Sequence, residues 1–99
     1  PPFCRLIKIT MKHRDFQKIE EASVWMGQAL KNVFRDQVLG PEPPPVSRIR
    51  NEYYRNILIK IPRKQSLEKT KKAILKVRTT FSSISQFRSV KIVLNVDNY

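Results

Sequence analysis

The sequence predicts an α+β domain in which a four-stranded antiparallel sheet carries two helices on one face. Strand-like and helix-like segments follow one another in the order β-α-β-β-α-β. A proline-rich segment separates two halves that each hold one helix, which is typical of two joined β-α-β units. The chain of 99 residues is long enough for one such domain, and we expect a single domain over residues 1–99.

The first half combines one strand with one long helix. Apolar and polar side chains alternate over residues 3–12 (FCRLIKITMK), the period-2 pattern of a strand. Asp15 is the expected N-cap of a helix that begins at Phe16. Apolar positions then recur at intervals of three and four residues and predict one buried face: Phe16, Ile19, Ser23, Met26, Leu30, Val33 and Phe34. Trp25 is expected at the margin of this face.

Prolines interrupt the middle of the chain. A short strand is expected over residues 37–39, and Gly40 and Pro41 should end it. Proline cannot continue a helix or a central strand. Residues 40–45 are therefore predicted to form a stiff, extended crossing of roughly 3 Å per residue.

The second half begins with a hairpin that pairs residues 46–50 with residues 53–61 through a turn near Asn51. In its second strand, one face carries Tyr53, Arg55, Ile57, Ile59 and Ile61. The second helix is expected to start at Gln65 and Ser66 and to end near Phe81. Its apolar side consists of Leu67, Thr70, Ile74, Val77 and Phe81. Residues 90–97 alternate again and form the last predicted strand.

This order corresponds to a split β-α-β, ferredoxin-like sandwich. The two helices should cover one apolar face of the sheet, formed by Ile7, Ile9, Ile57, Ile59, Ile92 and Leu94. The other face should present a mixture of apolar and basic side chains: Leu6, Lys8, Thr10, Tyr54, Leu58, Lys60, Lys91 and Val93. Such a mixture suits a surface that another domain or a stacked ligand partly covers. Simple surface scatter of apolar residues is the alternative.

The charge balance indicates an anionic partner. Twenty Lys and Arg against eight Asp and Glu give a net charge of +12. Nucleic acid is the first expectation, and acidic protein or a membrane surface comes second. No apolar run approaches the ~20 residues of a membrane span. Of these anionic partners we expect DNA and protein, and no membrane.

Catalytic chemistry is not expected. Cys4 and His13 are the only residues of their kinds, which excludes an internal disulfide and a cysteine or histidine metal cluster. The sequence has no glycine-rich phosphate loop and no credible Ser-His-Asp set. We therefore expect no enzyme activity and no cofactor in this chain.

Basic residues near tyrosines are the candidate DNA contacts, because this combination holds phosphates and stacks bases. The predicted DNA-binding residues are Arg48, Arg50, Tyr54, Arg55, Lys69, Lys72 and Lys76. Further basic residues extend the positive ridge of the second helix: Arg63, Lys64 and Lys71. A lysine-rich helix face that is merely solvated is the alternative. No pattern for reading base sequence is present.

Four segments carry a resemblance to a known family. They are PPFCRLIKI, VLGPEPPP, YYRNILIKIP and VKIVLNVDNY, in this order and at fitting separations. Over essentially its whole length, the chain resembles the C-terminal domain of the primosomal replication-restart helicase PriA (primosomal protein N′). The last segment departs from the usual Val-Asp-Pro, because Asn98 follows Asp97. The resemblance implies a fold similar to that of a small-subunit ribosomal protein.

The resemblance also implies a bacterial, cytoplasmic and nucleoid-associated parent protein that is an ATP-dependent 3′-to-5′ DNA helicase. ATP, magnesium and zinc would belong to that parent outside this chain. The chain begins with Pro1 and no methionine, and we interpret it as the C-terminal part of a larger helicase. Within the family, this domain binds single-stranded and branched DNA and packs against the rest of the helicase.

The family domain also borders the site for the acidic tail of single-stranded DNA-binding protein (SSB). For this tail the resemblance assigns Lys64 and Glu68, the latter being a glutamine in the family example. Three interpretations stay open at this point. The domain binds DNA and recognises forks, or it docks on the helicase core and receives the SSB tail, or it is a stand-alone ribosomal-type RNA binder.

Overall fold

Five strands and two helices follow one another in the computed structural model, which describes residues 4–44 and 48–97. The elements are β1 (Cys4–His13), α1 (Phe16–Phe34), β2 (Val38–Glu42), β3 (Arg48–Ile49), β4 (Glu52–Pro62), α2 (Leu67–Ser83) and β5 (Lys91–Asp97), with 3₁₀ turns at Arg35–Gln37 and Ser85–Phe87. The four longer strands have the order β2-β4-β1-β5, and β3 pairs with β4. All pairings are antiparallel, so the predicted α+β class with one sheet and two helices is confirmed.

The central strand β1 aligns apolar residues of three strands in rows. Ile7 lies opposite Ile59 of β4 and Val96 of β5, and the next row, around Ile9, is also apolar in all three strands. Residues opposite one another share a face of the sheet. The isoleucines of these rows are almost fully buried: Ile7, Ile9, Ile57 and Ile59. This layer lies under the two helices and forms the core.

Helix α1 begins as the sequence predicts. The Asp15 carboxylate accepts hydrogen bonds from the backbone N–H groups of Gln17 and Lys18, at 2.9 and 3.2 Å. The buried face consists of Ile19, Ala22, Ser23, Met26, Gly27, Leu30 and Phe34. Phe16 and Val33 are half exposed, so their assignment to the buried face is wrong. Phe16 lies in the first turn, where its ring and the Tyr53 ring form a T-shaped pair with centroids 5.4 Å apart. Val33 lies about 100° around the helix axis from the buried Phe34, and this rotation takes its side chain away from the buried face.

Helix α2 has the predicted apolar side. Ser66 caps it by accepting a hydrogen bond from the N–H of Lys69 at 3.2 Å. The buried residues are Thr70, Ile74, Val77 and Phe81. Trp25 of α1 is half buried against Phe81, with ring centroids 5.7 Å apart, which confirms its place at the helix margin.

The expectation that Gly40 and Pro41 end a strand is wrong, because β2 runs through both. β2 is an edge strand, where a proline without an N–H is tolerated. The register shifts between Leu39 and Glu42, the Gly40–Pro41 peptide bond is cis, and Gly40 has φ +98°. Pro41 packs on α1 at Gly27, where a Cβ atom would lie 2.7 Å from Pro41 Cδ. Glycine at position 27 therefore allows the edge strand to approach the helix.

The predicted hairpin is present, with a short first strand. Arg48 pairs with Tyr53 and Ile49 with Glu52. The two turn residues, Arg50 and Asn51, both have positive φ (51° and 64°), as a type I′ turn requires. The remainder of the predicted hairpin and crossing, residues 45–47, lies outside the described residues.

Candidate nucleic-acid interface

The predicted DNA-binding residues occupy four separate places in the fold. Arg48 and Arg50 belong to the β3–β4 hairpin, and Tyr54 lies on the face of the sheet away from the helices. Arg55 lies on the helix-covered face. Lys69, Lys72 and Lys76 lie on α2.

The hairpin presents two exposed arginines. The Arg48 guanidinium lies over the Tyr53 ring, 5.3 Å from its centroid, and donates a hydrogen bond to Asn51 Oδ1 at 3.1 Å. These contacts hold the Arg48 side chain beside the turn. Arg50 is exposed within the turn itself. The hairpin therefore offers two positive charges at one end of the sheet.

Arg55 is not available for the predicted DNA contact, because its charge is buried and paired. The residue is 7% exposed. Its Nε and Nη2 donate to one oxygen of Glu20, at 3.0 and 2.7 Å, and its Nη1 donates to the Tyr54 carbonyl at 2.8 Å. The Phe16 ring covers the guanidinium, 5.4 Å from the centroid. Arg55 thus joins α1 to β4. Glu20 is the acidic partner of this ion pair and has a structural role.

Tyr54 lies on the open face, which we define as the face of the sheet away from the helices. Lys12 Nζ is 5.9 Å from the centroid of the Tyr54 ring. The register places four lysines on the open face: Lys8, Lys12, Lys60 and Lys91. Leu39 and Val93 on the same face are 45% and 48% exposed. The predicted mixture of basic and apolar side chains on this face is confirmed.

A basic ridge, which we define as Lys69, Lys72 and Lys76, follows the outer side of α2. All three residues are exposed, and the opposite side of the helix is buried. A surface groove beside the ridge is lined by Lys72, Leu75, Lys76, Thr79 and Thr80. The rise of about 1.5 Å per residue spaces the three charges by roughly 5 Å along the axis.

Little of the positive charge is neutralised inside the molecule. Leaving Arg63 aside, Arg55 is the only basic residue that forms an ion pair among the side chains that the structure describes. The charges of the basic ridge and the hairpin arginines therefore remain available to an anion.

The residues assigned to the SSB tail lie next to each other at the start of α2. Lys64 belongs to the turn after β4, and Glu68 lies in the first turn of the helix. Both are exposed. Their side chains are accessible to a partner.

A further basic cavity, which no sequence pattern indicates, lies near the other end of α2. Its volume is about 360 Å³, and it is lined by Arg78, Phe81, Ser82, Phe87, Arg88, Val90, Lys91 and Ile92. Arg78 and Arg88 are ten positions apart, and the 3₁₀ turn after α2 brings them together. No spacing rule for a helix or a strand signals this pair.

A family model for the C-terminal domain of primosomal protein N matches residues 1–99. The chain belongs to this family. Membership confirms the resemblance found in the sequence and implies a primosomal role in replication restart. A comparison with curated proteins found no match.

The fold of this primosomal protein N C-terminal domain also occurs in a designed protein. The solved structure of the de novo designed protein Foldit4 has a TM-score of 0.70 to the chain, with 8% sequence identity, and the match covers 97% of this chain and 98% of that one. At this identity the likeness concerns the fold alone. Neither described helix is long and apolar enough to cross a membrane.

Proposed function

We propose that this domain is a non-catalytic DNA-binding module that helps an ATP-dependent 3′-to-5′ replication-restart helicase to recognise forks. The observation that carries the proposal is the unpaired positive charge on the described surface. Phosphate contacts from lysine and arginine supply most of the affinity in DNA binding that does not depend on sequence. ATP, magnesium and zinc belong in this proposal to other parts of a cytoplasmic, nucleoid-associated parent helicase.

The basic ridge is the proposed main contact with DNA. Lysine ammonium groups act as point charges and need no fixed geometry toward a phosphate. Three of them in a row can follow a DNA backbone without selecting bases. Arg48 and Arg50 at the hairpin form the second proposed contact, and Tyr54 on the open face offers a ring for stacking.

The proposal is tested by titrating fluorescently labelled single-stranded, duplex and forked DNA with the 99-residue chain at several salt concentrations. If about four phosphates of a single strand are neutralised, the logarithm of the binding constant should fall with the logarithm of salt with a slope of roughly −3. Absence of binding at low salt would overturn the proposal.

Amino-acid substitutions test which part of the surface contacts the DNA. Lys69→Gln/Lys72→Gln/Lys76→Gln should make the slope less steep by roughly 2 units. The control variant Lys18→Gln/Lys31→Gln/Arg35→Gln loses the same charge on the α1 side. It should keep most of the salt dependence of the binding constant. Equal losses in both variants would show a general charge effect instead of a ridge. Arg48→Ala/Arg50→Ala should weaken binding without unfolding the domain.

A second candidate function, docking of a protein partner, is supported by the open face. The side-chain oxygen Asn56 Oδ1 is buried and has no hydrogen-bond partner among the described residues. A cavity of about 310 Å³ lies around it, lined by Leu39, Glu42, Pro43, Pro44, Asn56 and Leu58. A buried acceptor without a donor is costly. A partner surface that covers these apolar side chains and donates one hydrogen bond would remove this cost.

In this second proposal the rest of the helicase covers the open face, and Lys64 and Glu68 receive the SSB tail. A peptide with the sequence of that tail should be retained by the domain in the presence of the neighbouring helicase lobes, and Lys64→Glu should abolish retention. Leu39→Asp should weaken docking on the lobes and leave the peptide contact intact. A peptide that is never retained would exclude the tail site.

A further inference from the structure

The basic cavity near the C-terminal end of α2 has the composition of an anion site. We propose that Arg78 and Arg88 bind a phosphate group of a DNA strand there. This inference rests on the proposed DNA-binding function and adds a defined phosphate site to it.

The walls of the cavity are held in place by the aromatic core. The rings of Phe81 and Phe87 stack with centroids 5.2 Å apart and an interplanar angle of 16°. They are only 1% and 3% exposed. Phe81 lies one turn after Arg78 on α2, and Phe87 directly precedes Arg88. The stacked pair therefore fixes the two backbone segments that carry the arginines.

The turn that carries Arg88 is also fixed by hydrogen bonds. The Val90 N–H donates to the Phe87 carbonyl at 3.1 Å, and the Ser89 hydroxyl lies 2.8 Å from His13 Nε2 at the end of β1. A site on such a turn needs little ordering when a ligand binds, which favours affinity.

No carboxylate is found among the described residues that line the cavity. The described residues that line it include Arg78 and Arg88, whereas the register places the Lys91 side chain on the open face. Among the side chains that the structure describes, neither arginine takes part in an ion pair or a side-chain hydrogen bond. Like charges around one cavity repel one another, and a bound anion removes this cost.

The geometry favours phosphate over the carboxylates of an acidic peptide. The forked N–H donors of the arginines match the oxygens of a phosphate or a carboxylate, and Ser82 adds a hydroxyl group, so the shape of the cavity decides between them. The apolar side chains behind them are buried, so the cavity offers little surface for the side chain of a peptide. A volume of about 360 Å³ leaves room for one phosphate group with part of its sugar or its water.

Compensation of the α2 dipole does not account for these arginines. Cations at a helix C-terminus act within the last turn, and the last turn of α2 contains no basic residue. The Phe81 carbonyl near this end already accepts the N–H of Ile84 at 3.1 Å. Arg78 lies five residues before the last residue of α2, outside the turn in which a cation acts on the dipole.

The test compares Arg78→Gln/Arg88→Gln with a ridge variant of equal charge loss, Lys69→Gln/Lys72→Gln, in the 99-residue chain. Inorganic phosphate is titrated first, and the backbone amide NMR signals of residues 82 and 88 are followed in each protein. We expect saturable shifts in the wild type and the ridge variant, and none in the cavity variant. Arg78→Lys/Arg88→Lys should restore part of the response. Unfolding temperatures of all variants show whether the fold is kept.

Single-stranded oligonucleotides with and without a 5′-phosphate are titrated next. The cavity variant should bind both roughly tenfold more weakly at low salt, with a slope less steep by roughly 1 unit. A wild-type preference for the 5′-phosphorylated strand would assign the site to a strand end, and equal binding would assign it to an internal phosphate.

The two proposals fail in different ways. If the wild type binds DNA, the ridge variant loses affinity and the cavity variant does not, the cavity proposal is wrong and the DNA-binding function stands. If phosphate shifts the amides but no DNA binds, the proposed function fails. An acidic peptide that displaces phosphate where oligonucleotides do not would also overturn the assignment to DNA.

Discussion

The guanidinium of Arg55 lies between the Glu20 carboxylate, the Tyr54 carbonyl and the ring of Phe16. A charged group that is 7% exposed is stable in the fold only if it is paired and hydrogen-bonded. Glu20 supplies the pairing from α1, and this ties the helix to the start of β4. The contact is therefore a structural link at the level of single side chains.

Glu20→Ala should lower the free energy of unfolding by about 1–3 kcal/mol, because it leaves the Arg55 charge buried without its partner. The loss should stay below that for a fully buried pair, since the Glu20 side chain is 45% exposed. Urea denaturation at neutral pH measures the change. Glu21→Ala, at the next position, is the control and should change stability by less than about 0.5 kcal/mol. Equal losses in the two variants would contradict the structural role of the ion pair.

The environment of Arg55 also shows what a local pattern can predict. Alternation correctly placed Arg55 on the same face as Ile57 and Ile59. The nearby tyrosines suggested a nucleic-acid contact instead, and only the position of Glu20, 35 residues earlier, decides between the two. Asp15, by contrast, was predictable because a helix cap depends on neighbours within three residues.

At the level of elements, the β3–β4 hairpin has an arginine at a turn position where asparagine, aspartate or glycine is preferred. Arg50 has φ 51° and Asn51 has φ 64°. For a residue with a Cβ atom, the left-handed region costs roughly 1–2 kcal/mol, and asparagine is among the residues that tolerate it. Such a cost is common where a side chain has a function.

Arg50→Gly should therefore raise the free energy of unfolding by roughly 0.5 kcal/mol, since the relief of backbone strain exceeds the extra chain entropy of glycine. It should at the same time weaken DNA binding, because the hairpin loses a charge. Thermal unfolding and a DNA titration of the same sample measure both effects. Arg48→Gly is the matched control and should lower stability, because it removes the contact with Tyr53. A loss of stability in Arg50→Gly would show that the Arg50 side chain itself supports the turn.

The helices and strands could be predicted where their sequence pattern depends only on neighbouring residues. Periodicity was sufficient for α1, α2 and the long strands. It failed at Gly40 and Pro41, because the tolerance of an edge strand for proline depends on which strand lies at the edge. That position follows from the strand order β2-β4-β1-β5, which is a property of the whole sheet.

At the level of the whole molecule, the net charge of +12 could be read from the sequence, but its distribution could not. The fold places the basic ridge on the helix side and four lysines on the open face, so positive charge lies on both sides of a thin domain with a shortest extent of 18 Å. Since the Debye length is about 10 Å at 0.1 M salt, the two sides repel each other at low ionic strength. Such self-repulsion lowers the stability of the compact state.

The unfolding temperature should accordingly rise by several degrees when NaCl is raised from about 20 to about 300 mM, because screening weakens this repulsion. Lys69→Gln/Lys72→Gln/Lys76→Gln lowers the net charge by three. It should raise the unfolding temperature at low salt and reduce the dependence on salt, while DNA affinity falls. The α1-side control Lys18→Gln/Lys31→Gln/Arg35→Gln should gain similar stability and keep its DNA affinity. Differential scanning calorimetry across the salt series measures these shifts. A ridge variant that is less stable than the wild type at low salt would mean that the lysines support the fold, and the argument that they are held for an anion would be wrong.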